Sequence, residues 1–394
     1  MLIGLVGKPS VGKSTFFKAA TLADVEIASY PFTTIKANHG IGYVKIDCVD
    51  KEFKVQCMPR TGYCINGKRF VPVELMDVAG LVEGASEGKG LGNQFLDDLR
   101  QADAFIQIVD ISGTSDAGGK EGKGDPLADI KMLENELDLW YFNILVKVWK
   151  TFSRQLDTGK DVNYAKAIAK QFSGLGVKEE HAKTVFKNLG IDVHLSRLDE
   201  TQVKKFASLL RKESKPMIIA ANKIDKPSGP ENYKKLREEF PNLIIVPCSA
   251  DSELALREAS KLGLIEYMPG ETDFKIKGNV NDKQKVALES IKDGVLAKFA
   301  EGTGVQAVLN AVVFSLLNYI AIFPAGASKL ADSKGNILPD CFLLPEGSTA
   351  LDFAFAIHTD FGNNFIKAID ARTKRALGKG HVLKNRDALE IVTR

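Results

Sequence analysis

The 394-residue sequence predicts an α/β protein: a doubly wound, mostly parallel sheet with a helical insertion, followed by a small C-terminal α+β module. Three observations carry this reading. The chain opens with a short unbroken apolar run, Leu2–Val6, that passes through a glycine-rich turn into a helical pattern. Further apolar runs recur between helical patterns, and unbroken runs are what strands covered on both faces require. After residue 318 the pattern shifts to short strands around one compact helix, the signature of a separately folding unit.

Taken in order, strands are expected at 2–6, 53–58, 70–76, 104–110, 216–221 and 243–247. Residues 112–125 are rich in Gly, Lys and Asp and read as a mobile surface loop. From 126 to 212 only helical periodicity is present. Ile130, Leu133, Leu137 and Trp140 recur at helical spacing, and Phe142, Leu145, Val148 and Trp149 continue a stripe best read as core. Shorter helices are expected at 164–172, 178–189 and 200–212. A charged helix near 282–301 ends at Gly302-Thr303-Gly304, and the last module has a helix at 349–357 and strands at 365–369 and 389–392. The expected organisation is therefore a first domain, 1–275, holding an insertion at 126–212, then a helical connector, 276–317, and a final domain, 318–394.

Composition excludes several classes. With 44% hydrophobic and 26% charged residues, the chain has enough apolar surface to fold, which rules out disordered, collagen-like and mucin-like proteins. Lys and Arg number 53 against 50 Asp and Glu, so any basic footprint must be local. One such footprint exists: Arg372, Lys374, Arg375, Lys379, Lys384 and Arg386 lie between Asp370 and Asp387 with no acid among them. The five cysteines, 48, 57, 64, 248 and 341, form no C-x-x-C pair. They read as free thiols of a reducing compartment, and no zinc site is expected, since no His or second pair accompanies Cys57 and Cys64. Met1 runs directly into the first strand without a basic leader, so a cytoplasmic protein is expected. Residues 305–323 carry no charge, but Gln306, Asn310, Ser315 and Asn318 interrupt them and 319–323 is strand-like. A buried helix followed by a strand is expected there, and no membrane span.

The chemistry is concentrated in five segments. Gly7-Lys8-Pro9-Ser10-Val11-Gly12-Lys13-Ser14-Thr15 follows a strand and opens a helix, the context in which backbone amides cradle phosphates. Lys13 would reach the β- and γ-phosphates, and the Ser14 hydroxyl would ligate Mg²⁺. Asp77-Val78-Ala79-Gly80 closes an apolar strand, placing a carboxylate to hold Mg²⁺ through water and a Gly80 N–H to face a γ-phosphate. Upstream, Tyr30-Pro31-Phe32-Thr33-Thr34 offers the Thr34 hydroxyl to the metal. Asn222-Lys223-Ile224-Asp225 ends another strand, where a carboxylate accepts the ring N–H and exocyclic amine of guanine, a donor pair adenine lacks. Cys248-Ser249-Ala250 can present a backbone N–H to the guanine carbonyl.

These motifs, in this order, resemble the translation-factor class of P-loop GTPases. Tyr30–Thr34 and the glycine-rich run from Asp77 to Asn93 are similar to the Obg family, and Asp125-Pro126-Leu127-Ala128-Asp129-Ile130 leading into a helical insertion is similar to its YchF branch. Residues 347–358 resemble a TGS domain, a β-grasp-like module shared with threonyl-tRNA synthetases and stringent-response enzymes. The resemblance implies a GTP-hydrolysing switch that uses Mg²⁺, cycles between GTP and GDP, and acts on ribosomes, touching rRNA or tRNA through the TGS domain and the basic run from Arg372 to Arg386. A monomer is expected, with Lys13, Thr34 and Gly80 as the catalytic groups.

The sequence departs from the family pattern at two places. YchF proteins typically end the base motif in glutamate and prefer ATP, whereas Asp225 gives the guanine form, so the ATP preference is not carried over. Ser10 stands where some relatives place a potassium-holding Asn, so potassium is not carried over either. Leu81 occupies the position of the Ras-type glutamine that orients water, so slow intrinsic hydrolysis is expected. Glycines 84, 88, 90 and 92 predict a loop that reorders with the γ-phosphate, while His358 is read as structural. Two other readings stay open from sequence: a YchF-type ATPase, and a nucleotide-binding RNA or ribosome scaffold in which hydrolysis is incidental.

Overall fold

The computed structural model describes residues 1–22, 38–78, 80, 84, 99–116, 118–159, 162–190, 194–326, 329–332 and 334–394. Its first sheet comprises β1 (Leu2–Val6), β2 (His39–Asp47), β3 (Tyr63–Ile65), β4 (Lys68–Asp77), β5 (Ala104–Asp110), β6 (Met217–Asn222) and β7 (Ile245–Pro247). The order is β2-β4-β1-β5-β6-β7, with β3 also on β4. Strands β4, β1, β5, β6 and β7 run parallel, while β2 and β3 pair antiparallel to β4. The carboxyl ends of the parallel strands therefore share one edge, where ligands bind in open α/β sheets.

One strand expectation is corrected, and one strand is found where none was expected. No strand forms at 53–58; a 3-10 turn occupies Val49–Lys51, and the half-buried Phe53 and Val55 pack with Cys57 toward the C-terminal module. Conversely, His39–Asp47 forms β2 although its sequence lacks a clear strand pattern. Gly40 and Gly42 are there because neighbours come close: an added Cβ would lie 2.7 Å from Phe17 Cζ or from Leu75 Cδ1.

Each face of the sheet has its own cover. On one face Ile3, Leu5, Leu75, Ile106 and Ile218 pack against Phe16 of α1 (Lys13–Thr21) and against Val305, Val308, Val312 and Val313. The last four come from the region expected as a connector, so from Val305 onward that segment is a layer of the sheet's own core. On the other face Val6, Phe105 and Val109 meet the insertion. Its helices are α2 (Pro126–Thr158), α3 (Tyr164–Gln171), α4 (Glu179–Leu189) and α5 (Glu200–Ser214). The α2 start is set by Asp125, whose carboxylate accepts from Leu127 N, and by Pro126 in the first turn. Its stripe of Ile130, Leu133, Leu137, Trp140 and Leu145 is buried, as the spacing predicts.

After β6 come α6 (Gly229–Glu239) and, beyond β7, α7 (Ala250–Lys261). A small hairpin of β8 (Ile265–Glu266) and β9 (Lys275–Ile276) leads to α8 (Asp282–Ile291), which widens into a π turn, Lys292–Leu296, and stops short of the expected 301. Then α9 (Val305–Asn310) and a second π segment, Ala311–Leu316, run into β10 (Tyr319–Pro324). Among the described residues no helix is long and apolar enough to cross a membrane.

The C-terminal sheet holds β10, β11 (Phe342–Pro345), β12 (Phe365–Asp370), β13 (Ala376–Leu377) and β14 (Ala388–Thr393), in the order β11-β10-β14-β12-β13. Between β11 and β12 lie α10 (Ala350–Ile357) and α11 (Thr359–Asn363). Thr349 and Asp352 form a capping box at α10, and Phe353 seals the core beneath it. This module docks on the far end of the β2–β4 hairpin. Arg69 donates to the Leu338 and Pro339 carbonyls at 3.2 and 2.8 Å, and Glu52 accepts from both Arg372 and Arg386. Two of the six basic residues expected to meet RNA therefore face another part of the chain.

Gly304 shows how tightly the parts are joined. Its φ is +84°, and an added Cβ would sit 1.9 Å from the Pro247 carbonyl oxygen. Gly304→Ala is expected to cost about 2–3 kcal/mol and lower the melting temperature. Gly294→Ala, where a Cβ meets nothing within 4 Å, should leave thermal melts of the full chain unchanged or slightly raised.

Candidate nucleotide site

The phosphate side is built by β1, the loop after it and α1. Gly7 approaches the next strand so closely that a Cβ would lie 2.6 Å from the Ile108 carbonyl oxygen. Gly12, with φ +89°, caps α1, and a Cβ there would lie 2.4 Å from Asn222 Nδ2. Ser10 also adopts positive φ, +65°. No side chain caps α1, so the backbone N–H groups of its first turn are open to an anion. At the same edge Lys13 Nζ lies 2.6 Å from Asp77 Oδ1, and Ser14 Oγ donates to Asp77 Oδ2 at 3.1 Å. A hydroxyl and a carboxylate in contact are a hard oxygen pair that fits Mg²⁺.

Gly80 is exposed, with its Cα face against Pro9. Thr34 and the rest of 30–34, together with Ala79, Leu81 and glycines 88, 90 and 92, lie outside the described residues. Gly84 is described: its N–H donates to Glu136 Oε1 of α2 at 2.8 Å.

Lys8 lies in the phosphate loop, but its side chain turns toward the insertion. Its side chain is buried, 2.6 Å from Asp129 Oδ2 of α2, and donates to the Ser115 carbonyl at 2.9 Å. Only its backbone remains for a phosphate. Burial pushes the Asp129 carboxyl up despite the opposing effect of Lys8. The 112–125 stretch, expected to be a mobile loop, is bonded to the site in its described part. Ser112 and Ser115 hydroxyls donate to Asp110 at 2.5 and 2.7 Å, and Gly119 abuts Pro9. Burial works to raise the Asp110 carboxyl, but hydrogen bonds from Lys223, Ser112 and Ser115 outweigh it and hold the group below the usual carboxylate value.

The base side comes from the ends of β6 and β7. Asn222 opens the base motif, and its carboxamide is buried between loops. It donates to the Val11 carbonyl at 2.8 Å and accepts from Ala250 N at 3.0 Å. Lys223 Nζ reaches the Ser10 carbonyl at 3.1 Å and Asp110 Oδ2 at 2.8 Å. Asp225 is exposed; its Oδ1 accepts from Ser249 Oγ at 2.8 Å and its Oδ2 lies 3.2 Å from Lys226 Nζ. The geometry thus brings Gly7–Ser14, Asp77, Asn222, Lys223, Asp225, Ser249 and Ala250 to one sheet edge.

Sequence reasoning missed a buried network beneath the base loop. Glu253 accepts from Arg257 Nε, Tyr267 OH and Thr303 Oγ1 at 2.7, 2.8 and 2.5 Å, and Arg257 donates to the Leu22 carbonyl at 2.6 Å. Ser249 N donates to the Thr303 carbonyl at 2.8 Å. The loop is therefore fixed to the end of α1. Only the Glu253–Arg257 spacing, one helical turn, was visible in sequence.

The Lys8–Asp129 pair gives a test. Lys8→Met should destabilise the chain by about 3–5 kcal/mol by leaving a buried carboxylate unpaired. Adding Asp129→Leu should recover most of the loss, as read in urea unfolding of both variants.

The chain is similar to known proteins along its whole length. A 50S ribosome-binding GTPase model matches residues 2–140, a G4 motif-containing domain model of Obg-like, YGR210-like GTPases matches 220–326, and a TGS domain model matches 331–393. A GTP-binding protein of Methanocaldococcus jannaschii is 47% identical over 100% of this chain and 99% of its own. The ribosome-binding ATPase YchF of Bacillus subtilis is 30% identical over 93% of this chain and 86% of its own. The crystal structure of a GTP binding protein from Pyrococcus horikoshii OT3 superposes with a TM-score of 0.80 at 38% identity, covering 100% of both chains. The Schizosaccharomyces pombe YchF GTPase shares the fold, with a TM-score of 0.60 at 22% identity over 100% of this chain and 97% of its own. From the phosphate loop to the last strand, this chain belongs to the YchF-like branch of the Obg-family P-loop GTPases, with a C-terminal TGS domain.

Proposed function

We propose that this protein binds GTP with Mg²⁺ and hydrolyses it slowly to GDP and phosphate, as a nucleotide-dependent switch acting on ribosomes. The observation that carries the guanine reading is Asp225, a partly exposed carboxylate beside the Ser249-Ala250 loop on the same edge as the phosphate loop. A carboxylate there pairs with the two donors of guanine and repels the acceptor edge of adenine.

Hydrolysis breaks the bond between the γ-phosphorus and the β,γ-bridging oxygen as water attacks in line. The loop amides from Gly7 to Thr15 and the Lys13 ammonium neutralise charge on the phosphates. Ser14, Asp77 and Thr34 would hold Mg²⁺, which supplies further charge neutralisation. Gly80 offers its N–H to the γ-phosphate. Leu81 can neither donate nor accept a proton, so no side chain at that position orients the water. Turnover is accordingly slow until a partner supplies the missing group. The names of the YchF relatives support a ribosomal partner. The exposed Arg375, Lys379 and Lys384 of the TGS domain offer cations to RNA phosphates. Such a role places the protein in the cytoplasm, acting as a monomer.

The rival is ATP, the substrate in the name of the Bacillus relative. Calorimetry with GTP, GDP and ATP in Mg²⁺ decides between them. Guanine nucleotides should bind more tightly, and Asp225→Asn should weaken GTP by about 10–100-fold. The same variant should gain affinity for xanthosine triphosphate, whose base offers a carbonyl where guanine offers an amine. Equal or tighter binding of ATP to the unaltered chain overturns the guanine reading.

A further inference from the structure

Three of the five cysteines, unevenly spaced along one short stretch of sequence, converge in space. Cys48 directly follows β2, Cys64 lies in β3 and Cys57 sits in the loop between, while Asp50 belongs to the 3-10 turn after β2. One ligand atom from each of these four residues lies within 4.8 Å of every other. The sequence reading excluded a zinc site for want of paired spacing; the fold supplies the pairing that spacing lacks.

We propose that Cys48, Asp50, Cys57 and Cys64 bind one zinc ion in a structural site. The sulfur atoms of Cys48 and Cys57 are 3.7 Å apart. Ligands about 2.3 Å from a tetrahedral zinc stand about 3.8 Å from one another, whereas a disulfide requires about 2.05 Å. Asp50 adds an independent observation. It is fully buried, and its Oδ1 has no hydrogen-bond partner. A buried carboxylate oxygen without a donor is unfavourable unless a cation meets it. Its other oxygen faces Cys64 Sγ at 3.8 Å, so the carboxylate is aimed into the sulfur group. The donor set also selects the metal: three soft sulfurs favour zinc and disfavour Mg²⁺ or Ca²⁺. Zinc binds the thiolates with loss of the thiol protons, and the charge remaining after binding is partly offset by the buried Arg69 beside Cys57.

The position gives the site a purpose. The segment 48–65 contains only a 3-10 turn and the three-residue β3, too little regular structure to hold its own shape. Yet this segment meets the TGS module: Met58 N donates to the Ile337 carbonyl at 2.8 Å and Arg60 N to the Pro339 carbonyl at 2.9 Å. Cys48 and Cys57 share a buried core with Phe323, Ala325 and Ala388. Zinc at this point fixes the surface on which the module docks. The inference is independent of which nucleotide the protein binds.

The test is metal analysis of the full chain, purified without a metal-affinity step or chelator, by inductively coupled plasma mass spectrometry. About one zinc per chain is expected. Cys57→Ser and Cys64→Ser should each reduce this to about a tenth or less, while Cys341→Ser keeps it. Because the first two variants can misfold, the unaltered protein is also titrated with a mercurial thiol reagent in the presence of a chromogenic zinc chelator; zinc should be released as thiols are blocked. Replacing the metal with cobalt(II) should give thiolate charge-transfer bands in the near ultraviolet and strong visible bands of tetrahedral coordination. A chain that holds no zinc and takes none up, with all five cysteines reactive on unfolding, overturns the proposal. So does a Cys48–Cys57 disulfide found by peptide mapping of protein kept in reducing buffer until alkylation.

Discussion

The Asn222 carboxamide is only 3% exposed, and it spends both of its functions on the backbones of two other loops. Its NH₂ group holds the Val11 carbonyl of the phosphate loop, and its oxygen holds the N–H of Ala250 in the base loop. Three loops, leaving β1, β6 and β7, are thereby locked into one frame. Gly12 follows from this constraint, because any Cβ at that position would strike the same NH₂ group. So does the positive φ of Lys223, +63°, which turns its ammonium back to Ser10 and Asp110. The distance between the phosphate cradle and Asp225 is thus fixed by protein bonds, and a nucleotide meets a preformed site.

How far the sequence could be read depended on whether the signal was local. The phosphate loop, the Asp77 strand end and the base motif each depend on residues within one strand-to-loop junction, and all fell where the pattern put them. The insertion helices were legible because their apolar stripe faces a single core. Residues 53–58 misled because Phe53, Val55 and Cys57 alternate like a strand, although their apolar sides pack on a module nearly 300 residues later. Strand β2 was hidden because Gly40 and Gly42 were selected for close approach to Phe17 and Leu75, against strand propensity. Lys8 carries no local sign of its partner, since Asp129 lies on the insertion. The cysteine group was missed for another reason: its members are near one another in sequence but not at paired spacing, and β3 and the segment after β2 are brought together by pairing with β4.

Charge in the C-terminal module is likewise set by tertiary neighbours. Read as a run, its six basic residues form one footprint. In the fold, Glu52 takes Arg372 and Arg386, and Arg386 also donates to the Asp47 carbonyl at 3.0 Å. These two arginines hold the module to the hairpin, while Arg375, Lys379 and Lys384 stay on the outer surface. A half-exposed carboxylate shared by two guanidiniums is worth more than an isolated surface pair, because the carboxylate is ordered once for two contacts.

Strand β4 connects the two regions. Its Asp77 stands in the nucleotide site, and its Arg69, about 27 Å away along an extended chain, grips the TGS module. The two halves are held differently. Residues Glu74–Asp77 pair with β1 inside the main sheet, whereas Lys68–Phe70 pair with β3, and β2 runs along the whole strand on the other side. Pro72, which has no N–H to give, falls between the end of β3 pairing and the start of β1 pairing, where no ladder bond is lost on that side. The hairpin therefore leaves the sheet at Pro72. A register slip along β2 would turn every core side chain outward, so the ladder cannot absorb motion by sliding. A movement of the module that keeps its contacts with the hairpin must bend the chain near Pro72 or shift the hairpin as a body, carrying Asp77 with it. Because Asp77 contacts both Lys13 and Ser14, the second route reaches the phosphate loop directly.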